Sequence, residues 1–423
     1  MTYLKHLACY RCGHEYPPGP MYSGCPACAA AGKPANVHCV YDLAKVAEVW
    51  DPAAIAEREP TLWRYEELLP VDSEHRVSLG EGMTPLLHLA RLGGRLGLRK
   101  LHLKDESQNP TWSFKDRMAA VGTAAAVTMD ASVMTAASSG NGGAAVAAYA
   151  ARAGLRSIIL TTPAFPLPMR VLMQVYGAEV LATASAPDRW KLVRHGVEQL
   201  GWVPIQNFSN PPIGANPYAQ EGCKAMGLEI AEQLGWQSPG SIIFPVTSGD
   251  TLAGTWRAFG ELIELGTVPD MPRMIAAEVF GSLSRAIAEG LDATVEVRTR
   301  PSVAVSAASA NSAYQSLHAI RDSSGLAVET GDDEEILEMQ GWLAQDEGIF
   351  AEPAAVLPLV AARRLAADGT LAPDEPVVVV STSGGMKDPE VASRSLPAIP
   401  LIDPTPEALG RALSQVYGHE LTP

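Results

Sequence analysis

The stretch Asn109-Pro-Thr-Trp-Ser-Phe-Lys-Asp-Arg117 sets a lysine where chemistry is open to it. Asn109-Pro110 signals a turn, and residues 118–127 are an Ala-rich run of good helix formers, so Lys115 falls near the first turn of a helix. That end of a helix carries partial positive charge and disfavours a further cation. Two readings follow. Lys115 is either a solvated charge at a helix start, as most lysines are, or a buried amine with a shifted pKa, able to act as a base or form a Schiff base.

A second constellation lies at the N-terminus. Four of the six cysteines form Cys9-x-x-Cys12 and Cys25-x-x-Cys28, with twelve residues between the pairs. Each pair can present two thiolates from one tight turn, and two pairs complete a tetrahedral site for zinc. His14, His38 and Cys39 are surplus to that set. Four thiolates leave no open coordination position, so the site is structural and staples a module too small for its own core. The competing reading is a ribbon that keeps its thiols without stable metal.

These elements need a scaffold, and composition bounds it. The 423 residues are 47% hydrophobic and 19% charged, enough for two or three domains with a sizeable core. A formal net charge of -15 argues against non-specific binding to nucleic acid or anionic membrane. The first residues show no signal-peptide pattern, and no run of about 18 uncharged apolar residues occurs. The expected location is the cytoplasm, where disulfides are rare.

From residue 101 the chain alternates short apolar runs with helical patterns. Strands are expected at 101–105, 133–137, 157–161, 179–182, 202–205, 241–245, 273–277 and 376–380, the last fully buried. Helices are expected at 144–153, 168–176, 189–200, 221–234, 252–265, 333–345 and 354–367, and Asp42 is a candidate cap for a helix reaching 49. The pattern predicts an α/β fold: two parallel-sheet domains with a cleft between them, plus the cysteine ribbon. Ligands in such sheets bind beyond the carboxyl ends of the strands. The loops there, 138–143, 247–251 and 381–385, are rich in Gly, Ser and Thr. Thr247-Ser-Gly-Asp-Thr251, between a strand and a helix, suits a phosphate cradle, or is simply a capped turn. Asp250 opposes an anion there unless it points away or caps the helix.

The ordered motifs Gly80-Glu-Gly-Met-Thr-Pro-Leu86, Asn109 to Arg117, Ser138-Ser-Gly-Asn-Gly-Gly143, Asn216-Pro-Tyr218, Gly348-Ile-Phe-Ala-Glu-Pro353 and Ser381-Thr-Ser-Gly-Gly-Met-Lys-Asp-Pro389 resemble those of threonine synthase. That is a branch of the fold-type II pyridoxal phosphate (PLP) enzymes, with tryptophan synthase β, cysteine synthase and threonine dehydratase. The resemblance covers nearly the whole chain, and some members of the branch also carry a cysteine-knuckle module. It implies PLP as cofactor, an amino-acid substrate and a homodimer. Residues 1–45 would be the ribbon, 46–125 with 206–423 the large PLP-binding domain, and 126–205 a small mobile domain. Lys115 matches the catalytic lysine that carries PLP as a Schiff base and acts as base at the α-carbon. Asn141 matches the partner of the ring hydroxyl, Thr382 that of the pyridine nitrogen, and Thr247, Ser248, Gly249, Asp250 and Thr251 the phosphate loop. Thr84, Ser138, Ser139, Gly140 and Asn141 match the substrate-binding group. A hydroxyl at the pyridine nitrogen implies elimination or replacement rather than transamination.

Departures from the pattern imply an altered substrate. Trp112 stands where the family usually has Gly, with its ring expected in or across the pocket. Gly142 replaces a usual Thr, and Ala219, expected across the cleft, replaces an Arg that helps hold an anionic substrate. Residues 303–308 lack the usual Gly-Asn-Pro run. The expected function is a PLP-dependent lyase acting at Cβ or Cγ of an amino acid, threonine synthase itself or a relative. The alternatives are β-replacement on O-phosphoserine as in cysteate synthase, an ammonia-lyase of hydroxy or diamino acids, and a non-catalytic binding protein on the same fold. A metal enzyme or nucleic-acid binder built on the ribbon is opposed by the net charge and the closed thiolate set. Elsewhere bland readings apply: Lys104 and Asp105 as a strand-end ion pair, Arg117 with Asp116 as a local pair, His318 as structural and Cys223 as a small buried side chain.

Overall fold

Apolar runs in the sequence become the central strands of the structure, a computed structural model that describes residues 2–163, 165–394 and 396–418. Val377–Ser381 (β13) is buried at every position, the mark of a strand covered on both faces. It lies fourth in a six-stranded sheet of order β12-β11-β10-β13-β5-β4. The others are Leu326–Glu329 (β12), Arg273–Glu278 (β11), Ser241–Pro245 (β10), Leu101–Asp105 (β5) and Leu86–His88 (β4). All pair in parallel except β4 with β5. A second, wholly parallel sheet has the order β8-β7-β6-β9. It is built from Val133–Ala137 (β6), Arg156–Thr161 (β7), Glu179–Ala182 (β8) and Val203–Pro204 (β9). The ribbon is an antiparallel sheet of Leu4–Cys9 (β1), Glu15–Tyr16 (β2) and Val37–Tyr41 (β3), with β1 in the centre.

The chain divides into two compact units, Met1–Lys387 and Asp388–Pro423. The second holds the helices Pro389–Ser393 and Pro406–Tyr417, the latter capped by Thr405. No helix among the described residues is long and apolar enough to cross a membrane.

The helix Lys115–Thr128 begins at the lysine itself, three residues earlier than its Ala-rich run suggests. It packs on Pro217–Gln233 through small residues. A Cβ on Gly222 would fall 1.9 Å from the Arg117 carbonyl oxygen, so only glycine permits this approach. At Gly122 an added Cβ would fall 3.1 Å from the Ala219 Cβ. Ala219 is therefore fully buried between the helices and not across the cleft as expected, and an arginine there would have no room.

Arg117 does not pair with Asp116. Its Nε donates to Glu106 Oε2 at 2.6 Å, and its Nη1 and Nη2 donate to Glu229 at 2.5 and 2.7 Å. Lys104 also binds Glu229, at 2.8 Å, rather than Asp105. Arg117, Lys104, Glu106 and Glu229 are all fully buried. Burial alone would push the Glu229 carboxyl up, but Arg117 and Lys104 outweigh it and hold it at about 2. Thr84, expected with the substrate group, belongs to this cluster: its hydroxyl donates to Glu106 at 2.6 Å and accepts from Arg117 at 3.2 Å.

Removing the guanidinium leaves buried Glu106 without a cation and Glu229 with Lys104 alone. Arg117→Leu is expected to lower stability by roughly 3–5 kcal/mol, seen as a lower midpoint in urea unfolding. A midpoint within error of wild type would refute the cluster's importance.

Candidate functional site

Lys115 is partly buried at the start of its helix. Its Nζ lies 3.5 Å from Met118 Sδ and 4.4 Å from the centre of the Phe114 ring, and no carboxylate lies within 4 Å among the described residues. Burial pushes the ammonium below the ordinary lysine range, opposed weakly by the Cys223 thiol and Asp250. The solvated-charge reading of Lys115 therefore falls. Cys223 is fully buried and accepts from the Thr251 hydroxyl at 3.6 Å.

The loop after β13 reaches Lys115 directly. Ser113 and Ser383 form an antiparallel bridge, and the Phe114 N–H donates to the Thr382 carbonyl at 3.0 Å. Thr382 is buried, as are Ser113 Oγ and Ser381 Oγ, which have no hydrogen-bond partner among the described residues. Trp112 adopts φ +62, a left-handed backbone that costs a side-chain-bearing residue about 1–2 kcal/mol. Its carbonyl accepts from the Gly384 N–H at 3.2 Å, and its ring is half exposed rather than buried in a pocket.

The loop after β6 joins the same place. Asn141 opens the helix Asn141–Ala153, so the Gly-rich turn expected as loop is already helical. Its Oδ1 accepts from Lys387 Nζ at 2.7 Å and Ser383 Oγ at 3.3 Å, and its Nδ2 donates to Glu352 at 3.1 Å. Burial brings Lys387 down to about 8, against Asp116 and Glu352. Burial likewise raises Asp116 to about 7, against hydrogen bonds from the Thr111 N–H and hydroxyl. Glu352 and Lys387 were missed as site residues although both lie in quoted motifs, Gly348 to Pro353 and Ser381 to Pro389. A Cβ on Gly140 would meet nothing within 4 Å, so the loop faces open space. The same construction on Gly142 would fall 1.6 Å from Gln206 Nε2. Gln206 thus occupies the room a larger residue at 142 would need, which no local signal in the sequence revealed. On the loop's outer side, Ser139 Oγ accepts from Arg189 Nη1 at 3.0 Å and from Thr161 Oγ1 at 2.8 Å. Ser138 Oγ accepts from the Gly140 N–H at 3.3 Å.

The loop after β10 ends on Gly249, at φ +79, where a Cβ would fall 2.4 Å from that of Ser316. The helix Asp250–Glu264 follows. The Asp250 carboxylate is taken up by protein donors: its Oδ1 accepts from the Ala215 N–H at 3.0 Å, Gln220 Nε2 at 3.0 Å and Gln315 Nε2 at 3.2 Å, and its Oδ2 from Ser248 Oγ at 2.5 Å. Thr247 and Ser248 are held by their carbonyls, from Ser312 Oγ at 2.6 Å and the Ala313 N–H at 3.3 Å.

Away from this site, the sulfurs of Cys9, Cys12, Cys25 and Cys28 lie within 4.8 Å of one another. The Cys9–Cys28 and Cys12–Cys25 separations are 3.6 and 3.7 Å. A tetrahedron of thiolates about 2.3 Å from zinc has edges of about 3.8 Å, so the set fits that ion. Cys39 is buried against the Pro217 carbonyl, and His38 packs on Tyr10, so neither joins it.

A family model described as "Pyridoxal-phosphate dependent enzyme" matches residues 77–383. The chain is 33% identical over 417 residues to threonine synthase of Methanosarcina acetivorans, spanning 97% of this chain and 99% of the relative. It is 33% identical over 394 residues to threonine synthase of Methanocaldococcus jannaschii, spanning 92% and 94%. Maize serine racemase superposes with a TM-score of 0.63 at 21% identity, covering 74% of this chain and 91% of that one. Diaminopropionate ammonia lyase from Escherichia coli gives 0.63 at 19%, covering 75% and 89%. These two show the fold.

The Lys387–Asn141 contact sets a pH dependence. Below about 8, Lys387 is a charged donor to Asn141; above it, that charge is lost. An alkaline fall in kcat/KM with an apparent pKa near 8 is expected, moving upward in Lys387→Arg. An unmoved alkaline limb would refute the role.

Proposed function

The chain belongs to the family of pyridoxal-phosphate-dependent enzymes, and from that premise we propose that its substrate is an amino acid with a phosphate ester on its side chain. It is a PLP-dependent lyase working by elimination at Cβ or Cγ of an amino acid. O-phosphohomoserine, which the threonine synthase resemblance implies, and O-phosphoserine are the candidates. The observation that carries the reading of the site is the Lys115 amine, free of any carboxylate partner among the described residues, at the meeting of the loops after β6 and β13.

The residues fit the cofactor. Gly249 leaves space where any side chain would collide with Ser316, and Asp250 directs its charge into protein donors. Orphaned hydroxyls of Ser113 and Ser381 flank Lys115 and Thr382. Bound, PLP supplies an electron sink for charge left at the α-carbon. We assign Lys115 to anchor it and to move the α-proton. Backbone N–H groups of 247–251 receive the phosphate, the Asp250 side chain taking no part. Asn141, steadied by Lys387 and Glu352, faces the ring hydroxyl, and Thr382 the ring nitrogen. The loop of Ser138, Ser139, Gly140 and Asn141 takes the α-carboxylate. In the same proposal residues 126–205 move as a small domain, the ribbon holds zinc and the enzyme is a homodimer.

Phosphate release from O-phosphohomoserine and O-phosphoserine, beside ammonia release from serine, threonine and diaminopropionate, tests the substrate class. Phosphate release that Lys115→Ala lowers by at least about 100-fold is expected. Ammonia release alone would overturn the phosphate-ester assignment, and an active Lys115→Ala would overturn the site. For the ribbon, metal analysis is expected to find one zinc per chain, lost in Cys12→Ser; a metal-free, folded wild type would refute it.

A further inference from the structure

Lys387 is a buried ammonium with no anion in contact. It is 3% exposed, and no carboxylate lies within 4 Å of its Nζ among the described residues. Its side-chain hydrogen bond among those residues goes to a neutral acceptor, Asn141 Oδ1, at 2.7 Å. The other buried lysines, Lys104 and Lys224, each have a carboxylate oxygen at 2.8 Å. Two acidic groups act on Lys387 from other elements: Asp116 on the Lys115 helix, and Glu352, just before the turn Pro353–Val356. Both are engaged elsewhere. Asp116 accepts from the Thr111 N–H and hydroxyl at 2.6 and 2.5 Å. Glu352 accepts from the Ser306 hydroxyl at 2.5 Å and from the Asn141 amide. A buried charge without a contacting anion is costly, so its retention calls for a partner that the protein itself does not supply.

The contacts of Asn141 say where that partner would stand. Its Oδ1 also accepts from Ser383 Oγ, and Ser383 bridges to Ser113, two residues before Lys115. Lys387 is therefore one amide away from the group assigned to the ring hydroxyl of the cofactor. An ammonium only donates, so it fixes the Asn141 amide with its oxygen toward Lys387 and its nitrogen toward Glu352. Positive charge at the amide oxygen polarises the amide and strengthens its N–H donors. A donor strengthened in this way favours an ionised acceptor over a neutral one.

We propose that Lys387 is the counter-charge of the cofactor's ring hydroxyl, holding that group ionised through the Asn141 amide. The proposal rests on the assignment of Asn141 to the ring hydroxyl above. It makes Lys387 a positioning residue that acts through Asn141 and touches neither substrate nor the reacting atoms.

The absorbance of bound PLP tests it, because the ionised ring absorbs at longer wavelength than the neutral one. Spectra, PLP dissociation constants and urea unfolding midpoints are recorded for wild type, Lys387→Gln, Lys387→Arg and Asn141→Ala, with and without PLP. Wild type is expected to carry the long-wavelength band at neutral pH. Lys387→Gln keeps a donor for Asn141 and removes the charge. It should shift absorbance to the short-wavelength band and weaken PLP binding at least about tenfold, and Lys387→Arg should restore both. Without PLP, the Lys387→Gln midpoint should match or exceed that of wild type, since a buried unpaired charge is gone. The stability gained on adding PLP should shrink. Equal loss of stability with and without PLP, at wild-type spectrum and affinity, would show a structural role and overturn the proposal. A wild type with the neutral-ring band would overturn it too. So would a Lys387→Gln enzyme with the wild-type band. In that case a shifted band in Asn141→Ala would confine the failure to Lys387, and an unshifted one would also overturn the reading of Asn141.

Discussion

A buried charge has to be paired, and the site depends on one such pairing. Arg117 lies two residues beyond Lys115 and is fully buried with Lys104, Glu106 and Glu229. Taking these groups out of water costs several kcal/mol each, recovered only when charge and geometry match. The match here draws on four separate elements: β5, the short turn after it, the Lys115 helix and the Pro217–Gln233 helix. Any shift of the Lys115 helix along its axis would break hydrogen bonds of 2.5–2.8 Å in a medium unable to replace them. The cluster fixes where the helix begins, and so where Lys115 stands. Glycine at 222 supports it by letting the two helices meet at backbone distance.

Much of the fold was legible because buried parallel strands leave plain marks. β5, β6, β8 and β10 occur at the residues expected from apolar runs between turn signals. β12 was not seen, since Leu-Ala-Val-Glu is short and only partly buried, and neither was β4, an edge strand of three residues. The helices starting at Asn141 and Asp250 were expected several residues late. Glycine and Asp have low intrinsic helix propensity, and tertiary contacts override it at both starts.

Partners distant in the chain stayed hidden for a different reason. Arg117 and Glu229 are 112 residues apart, so no local pattern joins them, and the local pairing with Asp116 looked better on spacing alone. Ala219 shows the same limit from the other side. Its place in the motif suggested the cleft, while its size is set by Gly122 on a facing helix. Lys115, Asn141 and Thr382 could be picked out because each sits in a motif at the carboxyl end of a strand or at a helix start. Gln206 and Arg189 sit in no motif, and only the folded chain brings them to the 138–143 loop.

Asp250 draws these threads together. A buried carboxylate is unfavourable unless its charge is taken up, and here four donors take it up. One of them, Gln220, is itself held by the ribbon: Tyr10, next to Cys9, donates its hydroxyl to Gln220 Oε1 at 3.0 Å. That bond leaves the Gln220 amide nitrogen facing Asp250. The ribbon is tied to the same helix by Tyr41, which donates to Glu221 at 2.9 Å, and to the neighbouring helix by Arg257, which donates to the Cys39 carbonyl at 2.5 Å. The cysteine module therefore does more than close its own fold. Through Tyr10 and Gln220 it orients one of the donors that take up the Asp250 charge, so the small sheet that carries the four cysteines helps satisfy a carboxylate at the start of the Asp250–Glu264 helix.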